Sequence, residues 1–146
     1  MVDRRHVLQV AAVGSAALAL PACRSTTRVD GEEPPPRTPD QQQADELALI
    51  AAYDAAIAGA GRAAGVAYQR LRDEHAAHLR ALGWDEPPPP PGTASPPTRR
   101  QLVRAERRAM RLRTSGAGQT DDAEKAQLLA LIAASEAQHV VTLEGL

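Results

Sequence analysis

A proline-rich segment divides this 146-residue chain into two helical parts, and no helix can continue through it. The segment covers residues 83–97 and contains five consecutive prolines, Pro87 to Pro91, and a further pair, Pro96 and Pro97. Proline lacks the backbone N–H and clashes with the preceding helical turn, so helices end at such a run. As extended polyproline the segment would reach about 45 Å, whereas an 18-residue helix is about 27 Å long. It is therefore long enough to run from one end of a helical bundle to the other.

Each side of this segment carries two helical patterns joined by a short turn, one near residue 64 and one near residue 118. The predicted helices are 45–63, 66–82, 98–114 and 121–144. Aromatic residues make up 2% of the chain and Phe is absent, which argues against most β-sandwiches and barrels. We therefore expect an all-α fold, a four-helix bundle of two helical hairpins over residues 45–146. The proline-rich crossover permits the second and third helices to be parallel.

The N-terminus resembles an export signal. Arg4 and Arg5 precede an uncharged apolar run from Val7 to Leu20. As a helix this run is about 21 Å long, too short for a hydrocarbon core of about 30 Å. The arginine pair resembles a twin-arginine motif, and the closing Leu-Pro-Ala-Cys is similar to a lipobox whose cysteine, Cys23, is lipidated. We expect residues 1–23 to be a twin-arginine-type signal that exports the protein and leaves it anchored to the cell membrane. An ordinary cleaved signal with a chance cysteine is the alternative.

Residues 24–44 are predicted to be a disordered tether between this anchor and the bundle. They are rich in proline and glutamine and have almost no apolar residue besides Val29. Such a stretch cannot bury enough surface to offset the entropy lost on ordering. Asp45 and Glu46 suit the acidic start of the first helix that follows.

Charge and cysteine content exclude several kinds of site. The 17 basic and 18 acidic residues give a net charge of −1, so we expect no nucleic-acid partner. A single cysteine forbids an internal disulfide and a multi-cysteine zinc site. No Gly-rich phosphate loop is present, and no nucleophile with a His/Asp relay is evident. The sequence therefore does not indicate a catalyst.

Polar residues interrupt the inward-facing stripes of the second and fourth helices. At the three- and four-residue spacing that marks buried positions, the fourth helix places Glu136 and His139 among leucine and isoleucine. The second helix places His75 and His78 between leucines, with Glu74 beside them. Buried polar groups need partners. We therefore expect these residues to contact one another.

The first and third helices offer one further carboxylate each. The expected turn of the first hairpin places Asp54 level with His75, so Asp54 is predicted to join the cluster. The expected turn of the second hairpin places Glu106 about six residues, or 9 Å, from the level of Glu136. Glu106 also lies among the arginines of a basic third helix. We expect it to form surface ion pairs.

The layout resembles the ferritin-like bundle family, whose metal site takes a carboxylate from one helix and Glu-x-x-His from the next, twice over. Glu136-Ala-Gln-His139 fits this motif. The second helix departs from it, since it offers Glu74 with His78 four residues on, or His75 with His78 three residues on. With its signal and alanine-rich helices, the chain more narrowly resembles actinobacterial ferritin-like lipoproteins, a family of unknown function.

This resemblance leaves two functions of different class open. The first is an exported, lipid-anchored bundle that acts as a binding or structural module at the cell envelope, with no established catalysis. It is favoured because the second and third helices break the family's ligand pattern. The second is a metal-binding bundle with a site in its core, for which mixed histidine and carboxylate ligands would suit iron, manganese or zinc. The candidate ligands are Asp54, Glu74, His75, His78, Glu136 and His139.

Overall fold

The computed structural model of the protein describes residues 37–87 and 95–146. The predicted signal over residues 1–23, with Arg4, Arg5 and Cys23, lies outside the described residues. The predicted tether as far as residue 36 and the middle of the proline-rich segment also lie outside them.

Four α-helices make up most of the described chain, and no strand occurs in it. The prediction of an all-α fold with four helices is therefore confirmed. Two residues join the first helix to the second, and three join the third to the fourth, so the helices of each pair are antiparallel neighbours. The helices are α1 (Pro39–Gly59), α2 (Arg62–Ala81), α3 (Arg99–Gln119) and α4 (Ala123–Glu144).

The first helix begins at Pro39 and not at residue 45. The Thr38 side chain accepts a hydrogen bond from the Gln41 N–H, and the Gln41 side chain accepts one from the Thr38 N–H. This reciprocal capping box, with proline at the first helical position, is a strong helix start. The predicted tether boundary at residue 44 is therefore wrong, because residues 39–44 form the first turns of α1. Glu46 therefore lies in the third turn of α1 and not at the start of the helix, where it was expected.

The third helix is also longer than predicted, since it continues past residue 114 to Gln119. Gly116 lies inside it and is buried against α4. A Cβ at this position would lie 3.3 Å from Cδ1 of Leu129, so the missing side chain lets the two helices approach closely. This packing outweighs the low helix propensity of glycine, which is about 1 kcal/mol less favourable than alanine.

The two hairpins pack so that α1 and α3 run antiparallel. Arg113, near the end of α3, donates hydrogen bonds to Gln42 and Glu46 near the start of α1. Tyr53, further along α1, donates to Glu106, earlier in α3. Because α2 is antiparallel to α1, α2 and α3 run in the same direction.

The described ends of the proline-rich segment lie toward opposite ends of α1. Trp84, just after α2, lines a cleft together with Pro39 at the start of α1. Pro96, just before α3, approaches Gly59 at the end of α1 so closely that a Cβ there would lie 2.9 Å from the proline ring. The route between them, over residues 88–94, lies outside the described residues.

Apolar side chains form two clusters beside a polar centre. Leucine and alanine supply most of both, so the hydrophobic contribution per residue is modest. The larger cluster consists of Tyr53, Ala56, Leu71, Leu102 and Leu143. The smaller consists of Ile50, Ala76 and Leu79.

Among the described residues, one helix is long and apolar enough to cross a membrane. It is α4, whose most apolar 18-residue window has a mean hydropathy of 1.2. Leu129, Ile132 and Leu143 of this helix are buried in the bundle. A helix buried in the core of a bundle can have the same composition as a membrane span.

Candidate metal centre

Buried polar residues from all four helices meet in the middle of the bundle. Three of them are carboxylates without exposed surface, Glu46, Glu106 and Glu136. A charged group removed from water is costly unless it is paired or hydrogen-bonded. The partners of each group therefore decide what the centre can do. The full buried polar set of the described chain is Gln42, Glu46, His75, Glu106, Arg113, Glu136 and His139.

His75 of α2 joins two of these carboxylates. Its Nδ1 donates to Oε2 of Glu46 over 2.9 Å, and its Nε2 donates to Oε1 of Glu106 over 2.9 Å. Carboxylates only accept, so both ring nitrogens carry a proton. Burial by itself lowers the pKa of His75, but the hydrogen bonds to Glu106 and Glu46 outweigh it and raise the pKa to about 9. The imidazolium therefore ties α1, α2 and α3 together.

Glu106 of α3 receives two hydrogen bonds at the same oxygen. The Tyr53 hydroxyl and the Nε2 of His75 both donate to Oε1. Nδ1 of His139 lies 3.3 Å from that oxygen. Burial raises the pKa of Glu106, but the neighbouring His139 and His75 more than reverse this and lower the pKa to about 2. Burial beside the Glu106 carboxylate raises the pKa of Tyr53, so Tyr53 stays a hydrogen-bond donor.

His139 of α4 is held from the rim of the bundle. Its Nε2 donates to Oε2 of Glu74 over 2.8 Å, and the Ser135 hydroxyl lies 3.2 Å from the same nitrogen. The Glu74 side chain is 39% exposed, so this carboxylate reaches water. Burial raises the pKa of Glu74, but the hydrogen bond from His139 and its charge outweigh this, and the pKa is lowered.

Arg113 of α3 brings a permanent positive charge into the centre. Its Nη2 donates to Oε1 of Glu46 over 2.9 Å and to the Gln42 carbonyl oxygen over 3.1 Å. Its Nε lies 4.0 Å from Oε1 of Glu136 and has no hydrogen-bond partner. Burial raises the pKa of Glu46, but the hydrogen bond from His75 and the charges of His75 and Arg113 lower it overall.

The network leaves Glu136 and His78 without a hydrogen-bond partner at their buried atoms, and it also leaves Oε2 of Glu106 and Nδ1 of His139 without one. Neither oxygen of Glu136 has a hydrogen-bond partner, and Nδ1 of His78 has none. Burial, together with the charge of Glu46, raises the pKa of Glu136 to about 8. Burial lowers the pKa of His78 to about 4. Both residues are therefore neutral in the metal-free protein near pH 7.

Two groups of side chains in this centre can hold a metal ion. Within each group, one ligand atom from every residue lies within 4.8 Å of the others. The first group consists of Glu46, His75, His78 and Glu136, and the second of His75, Glu106 and His139.

Most of the predicted site residues are brought together. The ring centroids of His75 and His78 are 5.4 Å apart, and those of His75 and His139 are 4.9 Å apart. Glu136 belongs to the first of the two groups. Glu74 lies at the rim and reaches the centre only through His139. The three- and four-residue spacing therefore predicts the inward-facing sides of α2 and α4 correctly.

Asp54 does not join the centre, and its assignment as a ligand is wrong. It is half-buried, and its Oδ1 accepts a hydrogen bond from Nε of Arg72 over 3.0 Å. The turn of the first hairpin lies at residues 60–61 and not near residue 64. Because opposite residues of an antiparallel pair are equally distant from the turn, the earlier turn places Glu46 beside His75.

The expectation that Glu106 forms surface ion pairs is also wrong. α3 continues to Gln119, and the turn to α4 lies at residues 120–122. The later turn brings Glu106 level with Glu136, so the apparent offset between them disappears. The signal that could have found both Glu46 and Glu106 is the position of each turn. Arg113 is one of several arginines in α3, and nothing in the sequence marks it as the buried one.

Comparison of the chain with protein-family models, with curated proteins and with solved structures gave no match. The resemblance to ferritin-like proteins therefore stays a prediction from helix layout and residue spacing.

Proposed function

We propose that this protein is a metal-binding four-helix bundle that holds a transition-metal ion in its polar core. The observation that carries the proposal is the Glu136 carboxyl group, which has no exposed surface and no hydrogen-bond partner on either oxygen. Buried polar groups in folded proteins are almost always hydrogen-bonded, and an isolated one is costly. A cation bound by Glu136 and its neighbours would remove that cost.

The chemistry of the neighbours supports a transition metal. His78 offers an unpaired Nδ1 in the same group as Glu136, and burial keeps this imidazole neutral, which is the form that binds metals. Imidazole nitrogen combined with carboxylate oxygen suits iron, manganese or zinc. The hydrogen bond from His75 to Glu106 is the kind of outer contact that orients a metal-bound histidine.

The placement of these residues along the helices supports a ferritin-like architecture. In ferritin-like carboxylate proteins two helices each supply a Glu, and two supply Glu-x-x-His. Here α1 supplies Glu46, α3 supplies Glu106, and α4 supplies Glu136 with His139. α2 departs from the pattern because His75 stands where the motif has Glu.

Metal content of the full chain tests the proposal. The protein is stripped with a chelator, loaded separately with Fe²⁺, Mn²⁺ or Zn²⁺, and its bound metal is counted by elemental analysis. We expect stoichiometric binding of at least one of the three ions. Glu136→Gln keeps the shape of the side chain and should weaken binding about 10-fold or more. Asp54→Asn is the matched control, because Arg72 holds Asp54 outside the centre. A folded chain that retains none of the three ions contradicts the proposal.

A second candidate function is a structural or binding module whose polar core only aligns the helices. The observation that favours it is His75, which joins Glu46 and Glu106 without any metal. Buried polar networks can specify helix register. In this case His75→Ala lowers stability, and none of the three ions raises the thermal midpoint. A bound ion stabilises the folded state by mass action and raises that midpoint.

We also propose that the protein is exported and anchored by a lipid on Cys23. The support is the sequence, in which Arg4 and Arg5 precede the apolar run from Val7 to Leu20 and Cys23 follows three residues later. Fractionation of cells that express the full chain tests this. Cys23→Ala should release the exported protein from the membrane, and replacing both arginines with lysine should keep it inside the cell. Membrane association that survives Cys23→Ala contradicts the anchor.

A further inference from the structure

We infer that the core binds one metal ion per chain and not two, in the group formed by Glu46, His75, His78 and Glu136. The second group, which consists of His75, Glu106 and His139, then binds no ion and holds the first group in place through hydrogen bonds. This inference rests on the proposed function. It is not what the paired layout of carboxylates and histidines leads one to expect, since that layout is typical of two-metal centres.

The first step is the sharing of His75 between the two groups. Its Nδ1 faces Glu46, in the first group, and its Nε2 faces Glu106, in the second. A neutral imidazole has one nitrogen lone pair for a metal, and its other nitrogen carries a proton. A Glu side chain at this position could bridge two ions, whereas His75 can serve one. When Nδ1 binds the ion, the Nε2–H keeps its hydrogen bond to Glu106.

The second step compares the atoms that each group has free. The first group has three atoms without a hydrogen-bond partner besides His75, namely both oxygens of Glu136 and Nδ1 of His78, whereas the second group has two, Oε2 of Glu106 and Nδ1 of His139. In the second group the Tyr53 hydroxyl already donates to Glu106, and Nε2 of His139 is held by Glu74. Without His75 this group has two protein ligands, fewer than the three that zinc sites with an open position retain.

The third step is the charge of the centre. The three fully buried carboxylates carry three negative charges once their protons are lost. Arg113 is permanently charged and is 1% exposed, so it neutralises one of them. One divalent cation neutralises the two remaining carboxylates. A second divalent cation would add two buried positive charges that none of these carboxylates compensates. Isolated buried charges are strongly unfavourable. Arg113 therefore acts as the second cation of the centre.

The stoichiometry of the unchanged full chain tests this inference. The metal-free protein is dialysed against increasing Zn²⁺, and the bound ions per chain are counted at saturation. We expect one ion. Two ions per chain overturn the inference and leave the proposed function intact, whereas a chain that binds none of Zn²⁺, Fe²⁺ and Mn²⁺ overturns the proposed function. Because the count uses the unchanged chain, it does not depend on whether any variant folds.

A pair of histidine variants tests which group holds the ion. His78→Ala removes a ligand of the first group and should weaken Zn²⁺ binding about 10-fold or more. His139→Ala removes a member of the second group and should still bind one ion with nearly unchanged affinity. Circular dichroism checks the helicity of both variants. Loss of the ion from His139→Ala but not from His78→Ala, or equal loss from both, overturns the assignment.

Discussion

Arg113 on α3 donates from Nη2 to Oε1 of Glu46 on α1 over 2.9 Å, and almost nothing of either side chain reaches water. The two residues are far apart in sequence, so this ion pair fixes the start of α1 against the end of α3. A pair cut off from water stabilises a fold only while both partners are present, because a single remaining charge keeps its desolvation cost. The core of the metal-free protein should therefore be sensitive to any change that removes Arg113.

Arg113→Gln should lower the free energy of unfolding of the metal-free protein by about 3–5 kcal/mol, since it leaves Glu46 without its permanent counter-charge. Urea denaturation in the presence of a chelator measures this. Arg111→Gln is the control, because Arg111 is exposed on the same helix, and its effect should stay within about 0.5 kcal/mol. Equal effects of the two variants would show that the buried ion pair contributes no more than a surface charge.

Tyr53→Phe should destabilise the protein by about 1.5–3 kcal/mol, the range for a hydrogen bond to a charged group. The Tyr53 hydroxyl is buried and donates to Glu106, which would lose one of its two donors. Tyr68→Phe is the matched control: its ring lies 6.2 Å from that of Tyr53, and Tyr68 is only half-buried. The midpoints of urea denaturation at pH 7 measure both. A loss in Tyr53→Phe no larger than in the control contradicts the structural role of this hydroxyl.

The metal-free protein should lose stability as the pH rises from about 6.5 to about 9. Burial lowers the pKa of His75, but its hydrogen bonds to Glu106 and Glu46 raise it from 6.5 to about 9. Burial, with the charge of Glu46, raises the pKa of Glu136 from 4.5 to about 8. In both cases the folded state holds a proton that the unfolded chain has released, so stability falls with pH. The contribution of His75 is complete below pH 6.5 and is lost through pH 9.

His78, which lies beside His75 and Glu136, explains why the fall in stability begins near pH 6.5. Burial lowers the pKa of His78 from 6.5 to about 4, so its contribution rises with pH up to 6.5 and offsets that of Glu136. Thermal midpoints at pH 6.5, 8 and 9 in chelator measure the fall, and His75→Gln should flatten it. A midpoint that rises over this interval contradicts the assigned protonation states. The facing groups are Glu46, Tyr53, His78, Glu106, Arg113 and His139.

The existence of the four helices and the inward faces of α2 and α4 could be predicted from the sequence, whereas the partners across each hairpin could not. A turn displaced by three or four residues moves the opposite residue by about two helical turns. The expected turn near residue 64 therefore selected Asp54 where the structure has Glu46. The displaced second turn likewise removed Glu106 from the centre. The second turn is displaced because α3 continues through the buried Gly116 to Gln119.

The same local features make Gly116 and Gly118 a matched pair in α3. Gly118→Ala meets nothing within 4 Å, and it should stabilise the protein by up to about 1 kcal/mol because alanine favours a helix over glycine. Gly116→Ala gains the same propensity but places its Cβ 3.3 Å from Leu129, so its net gain should be smaller. Gly116→Leu should force α3 and α4 apart and destabilise by about 1–3 kcal/mol. If Gly116→Leu unfolds at the same urea concentration as Gly118→Ala, close approach of α3 and α4 at Gly116 does not contribute to the stability of the protein.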